Sequence, residues 1–369
     1  MSESVRTINL CALGDPRSPR TWSGTPAHIT RELQEANRLQ QAFDVEPGRL
    51  EKALLAGLSA PLFGRYDFQR HPLRRLRAAA RCARATAASG SSHTIHMGSL
   101  TLPFRRAPQG QHHYLFCDAT WNLWKAGATD MAHFHPRLVE SAERLERQAY
   151  EQAAHVFPIA EYVREDLINH YGLAPEKVTA VGTGLGLVKP FHGEKDGTRK
   201  RILFTAKGRF FDKGGPLAVQ AFRLAREQDP ELELTLVGCE DGLQLPPTQG
   251  MTTLGFVPFE ELQRLFETHH LFLLPATNEP WGLVYLEAMA CGMPIVGLNR
   301  NSFPELSGGG RFGWAPPAET PEALAQTLLH AFADRARLYQ MGRRARTRCL
   351  REYTWGGTVR TMIDVIDSQ

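Results

Sequence analysis

The sequence has no apolar run approaching the roughly 18 residues needed to cross a bilayer, so no membrane-spanning segment is expected. Its first residues, MSESVRTINLCALGD, lack a basic region followed by a long apolar core. That predicts no signal peptide and a cytoplasmic protein, at most held on the inner face of the cytoplasmic membrane. Cysteine is scarce, and Cys11, Cys82, Cys117, Cys239, Cys291 and Cys349 lie far apart with no CxxC pair. This excludes a disulfide framework and a thiolate metal site, and leaves reduced, buried thiols. The histidines, among them His93, His96, His112, His113, His133 and His135, have no partners at metal-ligand spacing. A net charge of +4 is too small to make nucleic acid the main partner. No short-period repeat is visible.

What is present is ordinary for a globular protein long enough for two domains: 369 residues, 42% hydrophobic and 22% charged. The apolar run Val5–Leu13 reads as a buried strand, followed by a polar loop to Thr25 and a helix that opens at Thr25-Pro26 and runs towards Ala42. Strands are expected at His93–Pro103 and His112–Asp118. Helices at Arg137–Ala154 and Glu161–Tyr171 and a strand at Lys177–Val181 complete the first half. The Gly-rich, charged segment Gly182–Thr198 reads as a linker. Beyond it, strands at Ile202–Thr205, Leu232–Val237, Leu271–Leu274 and Pro294–Leu298 alternate with helices at Pro216–Gln228, Phe259–Thr268 and Leu283–Cys291, and helices Pro321–Ala333 and Arg335–Glu352 close the series. Short continuous apolar strands separated by helices predict a parallel sheet covered on both faces, an α/β architecture.

The chemistry concentrates in Asn278-Glu279-Pro280-Trp281-Gly282-Leu283-Val284-Tyr285-Leu286-Glu287-Ala288-Met289-Ala290-Cys291-Gly292-Met293-Pro294. This stretch follows an expected strand, so Glu279 falls at the carboxyl edge of the sheet, where open α/β sheets bind ligands. Gly282 opens the next helix and lets backbone amides approach an anion at its N-terminus. Glu287 lies one turn further on, so the two carboxylates can border one pocket and accept pairs of sugar hydroxyls.

That spacing, Glu279-x7-Glu287 around Pro280-Trp281-Gly282, resembles the signature of glycosyltransferase family 4. Lys207-Gly208-Arg209-Phe210-Phe211-Asp212-Lys213-Gly214-Gly215 is similar to the family's element after the first strand of the C-terminal domain. Leu236-Val237-Gly238, Gly255-Phe256-Val257 and Tyr353-x-Trp355 extend the likeness from about Ile202 onward. In the first half it is limited to Trp22-Ser23-Gly24-Thr25-Pro26 and the Glu161–Val181 region. The resemblance implies the GT-B fold, two Rossmann-like doubly wound domains facing each other across a cleft. Residues 1–190 would form the acceptor-side domain, 191–350 the donor domain, and 351–369 a helix crossing back to the N-terminal domain.

It also implies retaining transfer from a nucleoside-diphosphate sugar, UDP- or GDP-linked, with no required metal or other cofactor. The acceptor would be a saccharide or lipid-linked glycan of cell-surface polysaccharide or glycolipid synthesis. Arg209 and Lys213 would grip the diphosphate, Glu287 the ribose hydroxyls and Glu279 the transferred sugar. Pro280, Trp281, Gly282, Leu283 and Val257 would line the donor pocket, and Gly24 would let the other domain approach the diphosphate. Asp118 stands where many relatives carry a catalytic histidine. Arg209 and Lys213 are one residue closer than the commonest family spacing, which leaves Lys207 as an alternative first cation. A sugar-nucleotide epimerase of the same fold and a non-enzymatic nucleotide-sugar-binding protein are the competing readings; the two-glutamate element with Pro-Trp-Gly favours transfer. Arg74, Arg77, Arg81 and Arg84 fall on one helical face beside Leu73, Leu76, Ala80 and Ala83. This suits an anionic membrane surface, a lipid pyrophosphate acceptor or a plain solvated basic face.

Overall fold

A computed structural model of the protein describes residues 6–102, 110–127 and 131–369. The chain forms two compact units: residues up to Thr183 together with Trp355–Gln369, and Gly184–Thr354.

The first unit contains β1 (Ile8–Ala12), α1 (Thr25–Glu35), β2 (Leu39–Asp44), α2 (Arg49–Phe63), α3 (Pro72–Ala87) and β3 (His93–Met97). It continues with β4 (His112–Cys117), α4 (Trp121–Gly127), α5 (Pro136–Gln152), β5 (His155–Pro158) and α6 (Glu161–Asn169). All sheet pairings are parallel, in the order β2-β1-β3-β4-β5. β1, β3 and β5 are buried along their whole length, as expected for strands covered by helices on both faces. α5 shows the matching helical pattern, with Leu138, Ala142, Leu145 and Ala149 buried and His135 Nδ1 accepting the Arg137 amide at 3.2 Å as its cap.

The second unit runs β6 (Lys200–Thr205), α7 (Gly215–Gln228), β7 (Leu232–Val237), β8 (Met251–Thr253), α8 (Phe259–Thr268), β9 (Leu271–Leu274) and α9 (Leu283–Ala290). It ends with β10 (Ile295–Gly297), α10 (Phe303–Ser307), β11 (Gly313–Trp314), α11 (Pro321–Ala333) and α12 (Arg335–Glu352). Its parallel sheet has the order β11-β10-β9-β6-β7-β8. The chain first winds outward from β6 through β7 and β8, then returns to β9 on the other side. The point where winding reverses lies between β6 and β9, and crevices at such points take ligands in doubly wound sheets. The last helix, α13 (Trp355–Asp367), packs in the first unit. His28 stacks on Trp355 at 4.8 Å, and Arg38 makes a two-pronged contact with Asp367 at 2.9 and 2.6 Å.

Four local expectations are corrected. The helix expected to reach Ala42 ends at Glu35, because Asn37 takes a left-handed φ of 55° and turns the chain into β2. The strand expected at His93–Pro103 stops at Met97, where Gly98 has φ 83°; Pro103, like Val5 of the first apolar run, lies outside the described residues. Lys177–Val181 contributes only a single bridge, Val178 to Val156. Finally, Arg74, Arg77, Arg81 and Arg84 do not form a free basic stripe. Arg74 is buried against Glu46 at 2.8 Å, Arg77 and Arg81 both pair with Glu51, and Arg84 donates to the Ala80 carbonyl. Leu76, Ala80 and Ala83 of the same helix are exposed instead. All six cysteines are buried and free.

Burial holds five histidines neutral. His113 and His269 are pushed down to about 3, and His93, His155 and His270 to about 4. The unfolded chain protonates them near 6.5. It therefore binds protons that the folded chain refuses, so stability is complete above about pH 6.5 and falls as pH drops towards 4. Asp118 and Glu287 are raised by burial and act in the opposite sense, but they are two against five. The melting temperature is therefore expected to decline between pH 7 and pH 5, ahead of ordinary carboxylate titration. A flat melting temperature across that range would contradict this account.

Candidate functional site

The loops after β6 and β9 meet at the reversal point of the second sheet. Lys207 and Gly208 leave β6 with left-handed φ values of 52° and 68°. The loop then turns through Arg209–Lys213 into α7 at Gly214, which has φ 77°. A Cβ on Gly214 would lie 2.0 Å from the Pro275 carbonyl oxygen in the loop after β9, and one on Gly215 would lie 2.2 Å from the Phe210 ring. Glycine at 214 therefore lets the two loops touch, and glycine at 215 lets Phe210 fold back against its own loop. Their contact brings Lys213 Nζ onto the Glu279 carboxylate as a close ion pair, with both side chains largely buried. Phe210 donates its amide to Glu240 Oε1 at 2.7 Å, which fixes the loop from the end of β7. Sequence reasoning missed Glu240; its position two residues after Leu236-Val237-Gly238 was the available signal.

The β9 loop enters α9 through Gly282, whose φ is 78° and whose Cβ would meet the Tyr285 ring at 2.6 Å. Tyr285 donates its hydroxyl to the Leu274 carbonyl at 2.6 Å, and Ser302 donates to the Trp281 carbonyl at 2.6 Å. These bonds hold the turn that presents Pro280, Trp281, Gly282 and Leu283. Trp281 is buried, with its ring edge-on to Tyr353 at 5.9 Å. The first amides of a helix have no intrahelical acceptor and carry the positive end of its dipole. The N-terminus of α9 thus faces the same loops as Lys213.

Glu287, one turn into α9, accepts the backbone amides of Leu187 and Val188 at 2.7 and 3.1 Å through Oε1. Burial raises its pKa, while those amides and the nearby Lys207 charge act to lower it. Gly186 is required beside it, since a Cβ there would fall 2.4 Å from Glu287 Oε1. Arg209 is exposed and its Nε donates to Asp212 at 2.9 Å, so Lys207 is the cation that acts on Glu287 here. The segment Leu254–Val257 borders Lys207–Gly208: Phe256 is 70% exposed and its ring lies 3.2 Å from the position of a Gly208 Cβ, with Val257 half-buried behind it.

The structure thus brings Lys207, Lys213, Glu279, Pro280, Trp281, Gly282, Leu283 and Glu287 to one edge of the second unit. Gly24 and Asp118 belong to the first unit. There the loop after β1 carries three successive left-handed residues, Trp22, Ser23 and Gly24, with φ 49°, 56° and 85°. Left-handed backbone at two non-glycine residues is costly and concentrates at functional sites. Trp22 packs edge-on to Phe116 of β4 at 6.1 Å. Asp118 follows β4; burial raises its carboxyl to about 6 against the lowering effect of the Ala119 amide, which donates to it at 2.9 Å. No cluster of three or more His, Cys, Asp or Glu able to hold a metal occurs among the described residues.

Residues 189–348 match the family model Glycosyl transferases group 1. The chain is 28% identical over 236 residues to a D-inositol 3-phosphate glycosyltransferase of Salinispora tropica, covering 54% of this chain and 48% of that protein. The chain therefore spans about half the length of that relative. Among solved structures, sucrose-phosphate synthase from Thermosynechococcus elongatus superposes with a TM-score of 0.71 at 16% identity, over 98% of both chains. HepE from Anabaena, in complex with UDP and glucose, superposes with a TM-score of 0.65 at 16% identity, over 99% of this chain and 100% of that one. The protein carries a glycosyl transferases group 1 domain in a chain with the GT-B fold of two parallel-sheet α/β units.

Proposed function

We propose that the protein is a retaining hexosyltransferase of glycosyltransferase family 4. It moves a sugar from a UDP- or GDP-linked donor to a saccharide or lipid-linked glycan in cell-surface polysaccharide or glycolipid synthesis, working from the cytoplasmic side. The observation that carries this reading is the Lys213–Glu279 pair at the loop contact, with Glu287 and the α9 N-terminus beside it. HepE, a neighbour of the same fold, holds UDP and glucose.

In this reading the donor diphosphate takes Lys213 from Glu279 and lies against the α9 N-terminus, with Arg209 or Lys207 as second cation. Glu287 accepts the ribose hydroxyls, and Glu279, freed from Lys213, accepts hydroxyls of the sugar. Pro280, Trp281, Gly282, Leu283 and Val257 line the pocket, and Gly24 serves the diphosphate from the loop after β1. As the anomeric C–O bond breaks, negative charge grows on the leaving phosphate, where Lys213 and the helix amides stabilise it. The acceptor oxygen attacks from the face the phosphate leaves, and its proton passes to a phosphate oxygen. Charge neutralisation is assigned to side chains, so turnover requires no metal.

UDP, GDP and ADP are the direct probes. The accepted nucleotide should stabilise the protein by about 2.7 kcal/mol at about one hundred times its Kd. The matching nucleotide sugar should then be hydrolysed at a rate unchanged by EDTA. If none of the three shifts melting at millimolar concentration, the donor-site assignment fails.

Glu287→Ala is expected to weaken donor binding roughly 10- to 100-fold, the worth of a charge-assisted hydrogen bond. Gly186→Ala should do the same without touching the donor, because its methyl group displaces the carboxylate. Wild-type donor affinity in both variants would remove Glu287 from the site.

Asp118→Asn should lower kcat while leaving donor affinity intact if Asp118 serves the acceptor. With its carboxyl near 6, the wild-type kcat should fall as pH drops below about 6, and the variant should lose that limb. An unchanged kcat in the variant would leave Asp118 structural.

A further inference from the structure

α2 is inside out. Its fully buried side chain is Ser59, which bonds the Leu55 carbonyl and His71 Nδ1, each at 2.7 Å. Its leucines face solvent: Leu50, Leu54, Leu58 and Leu62 are 89, 63, 58 and 50% exposed. At four-residue spacing these lie along one side of the helix, with exposed Ala53, Gly57 and Pro61 among them. From Ala53 to Phe63 there is no charged residue. Just beyond the helix Tyr66 is 51% exposed, and on α3 Leu76 is 50% exposed. A surface helix normally turns such residues inward, and an apolar face of this length marks an interaction site.

The charge around this face identifies what covers it. Residues 45–84 contain nine Arg and Lys against Glu46, Glu51 and Asp67, an excess of six in a chain whose total is only +4. Each of those three acids is already paired: Glu46 with Lys52 and Arg74, Glu51 with Arg77 and Arg81, Asp67 with Arg70. Arg49 and Arg65, at the two ends of α2, are both exposed. The surface that results is an apolar ridge with a positive charge at each end and its negative charges neutralised. A second copy of the same chain would bring like charges to both ends. A bilayer with anionic headgroups accepts leucines between its acyl chains and arginines at its phosphates. The uncharged stretch is too short to span the hydrocarbon core, so the helix would lie along the interface.

We propose that the leucine face of α2 docks the protein onto an anionic lipid bilayer, with Arg49 and Arg65 as its headgroup contacts. This moves the membrane contact from α3, where Arg74, Arg77 and Arg81 are paired with Glu46 and Glu51, to the apolar side of α2 and the surface around Arg49 and Arg65 at its ends. The proposal adds a surface to the reading above and does not depend on the reaction.

Flotation of the full chain with phosphatidylcholine vesicles containing phosphatidylglycerol, and with phosphatidylcholine alone, tests it. The protein should float with the anionic vesicles, less so in high salt. Leu54→Glu with Leu58→Glu should weaken binding about a hundredfold, and Arg49→Ala with Arg65→Ala roughly thirtyfold, about fivefold per arginine. Because these side chains are exposed, melting temperature and the nucleotide-induced shift should be unchanged in both variants, which separates failure here from failure of the donor site. As a conservative probe, Leu58→Trp should show a blue-shifted emission on anionic vesicles. Absence of flotation by the wild type, or no emission shift at position 58, would overturn the proposal. So would a wild-type dimer that Leu54→Glu with Leu58→Glu converts to monomer, since the face would then be covered by a second copy.

Discussion

The carbonyl oxygen of Pro275 occupies the space where a side chain at position 214 would begin. Because residue 214 is glycine, the loop after β6 presses directly on the loop after β9. Everything else at this edge of the second unit follows from that contact. It places Lys213 on Glu279, it sets α7 and α9 with their N-termini towards the same crevice, and it occurs where the winding of the sheet reverses. A larger residue could be placed there only by moving the two loops apart. Gly215 against Phe210 and Gly186 against Glu287 apply the same logic on either side. The site is thus assembled by close backbone approach, and its charged groups are positioned by what is missing beside them.

Charged groups at this edge are paired within the protein. Lys213 is held by Glu279, Arg209 by Asp212, and Glu287 by two backbone amides. A ligand that enters must therefore exchange partners with these groups. Under the proposed function, a dianionic, hydroxyl-rich donor is the kind of partner that exchange would favour, since it offers the cations and the carboxylates several contacts at once.

Much of the second unit was legible because its strands are short apolar runs bounded by Gly, Pro and charge. Leu271–Leu274 and Leu232–Val237 need no context to be recognised as strands. The two glutamates were legible because their spacing straddles a Gly-opened helix. Contacts between residues distant in sequence were not. The bond from Glu287 to Leu187 joins residues 100 apart, and Arg209 turns to Asp212 rather than inward. In the first unit β2 escaped notice because, of Leu39-Gln40-Gln41-Ala42-Phe43-Asp44, only Ala42 is buried; an edge strand lacks the apolar run of a central one. α2 escaped because its apolar pattern points away from the core, so periodicity alone could not say which side it covers.

The return of α13 to the first unit has a consequence for biogenesis. The second unit is one uninterrupted segment, Gly184–Thr354, and all its partners are present once those residues have been made. The first unit lacks the Trp355 ring that stacks on His28 and the Asp367 carboxylate that receives Arg38 until the last helix is synthesised. The first unit is therefore discontinuous in sequence, and its packing cannot close before α13 is joined to α1 and Arg38. The pairing of Arg38 with Asp367 spans 329 residues, a separation at which contacts form slowly because a long loop must close before they are made.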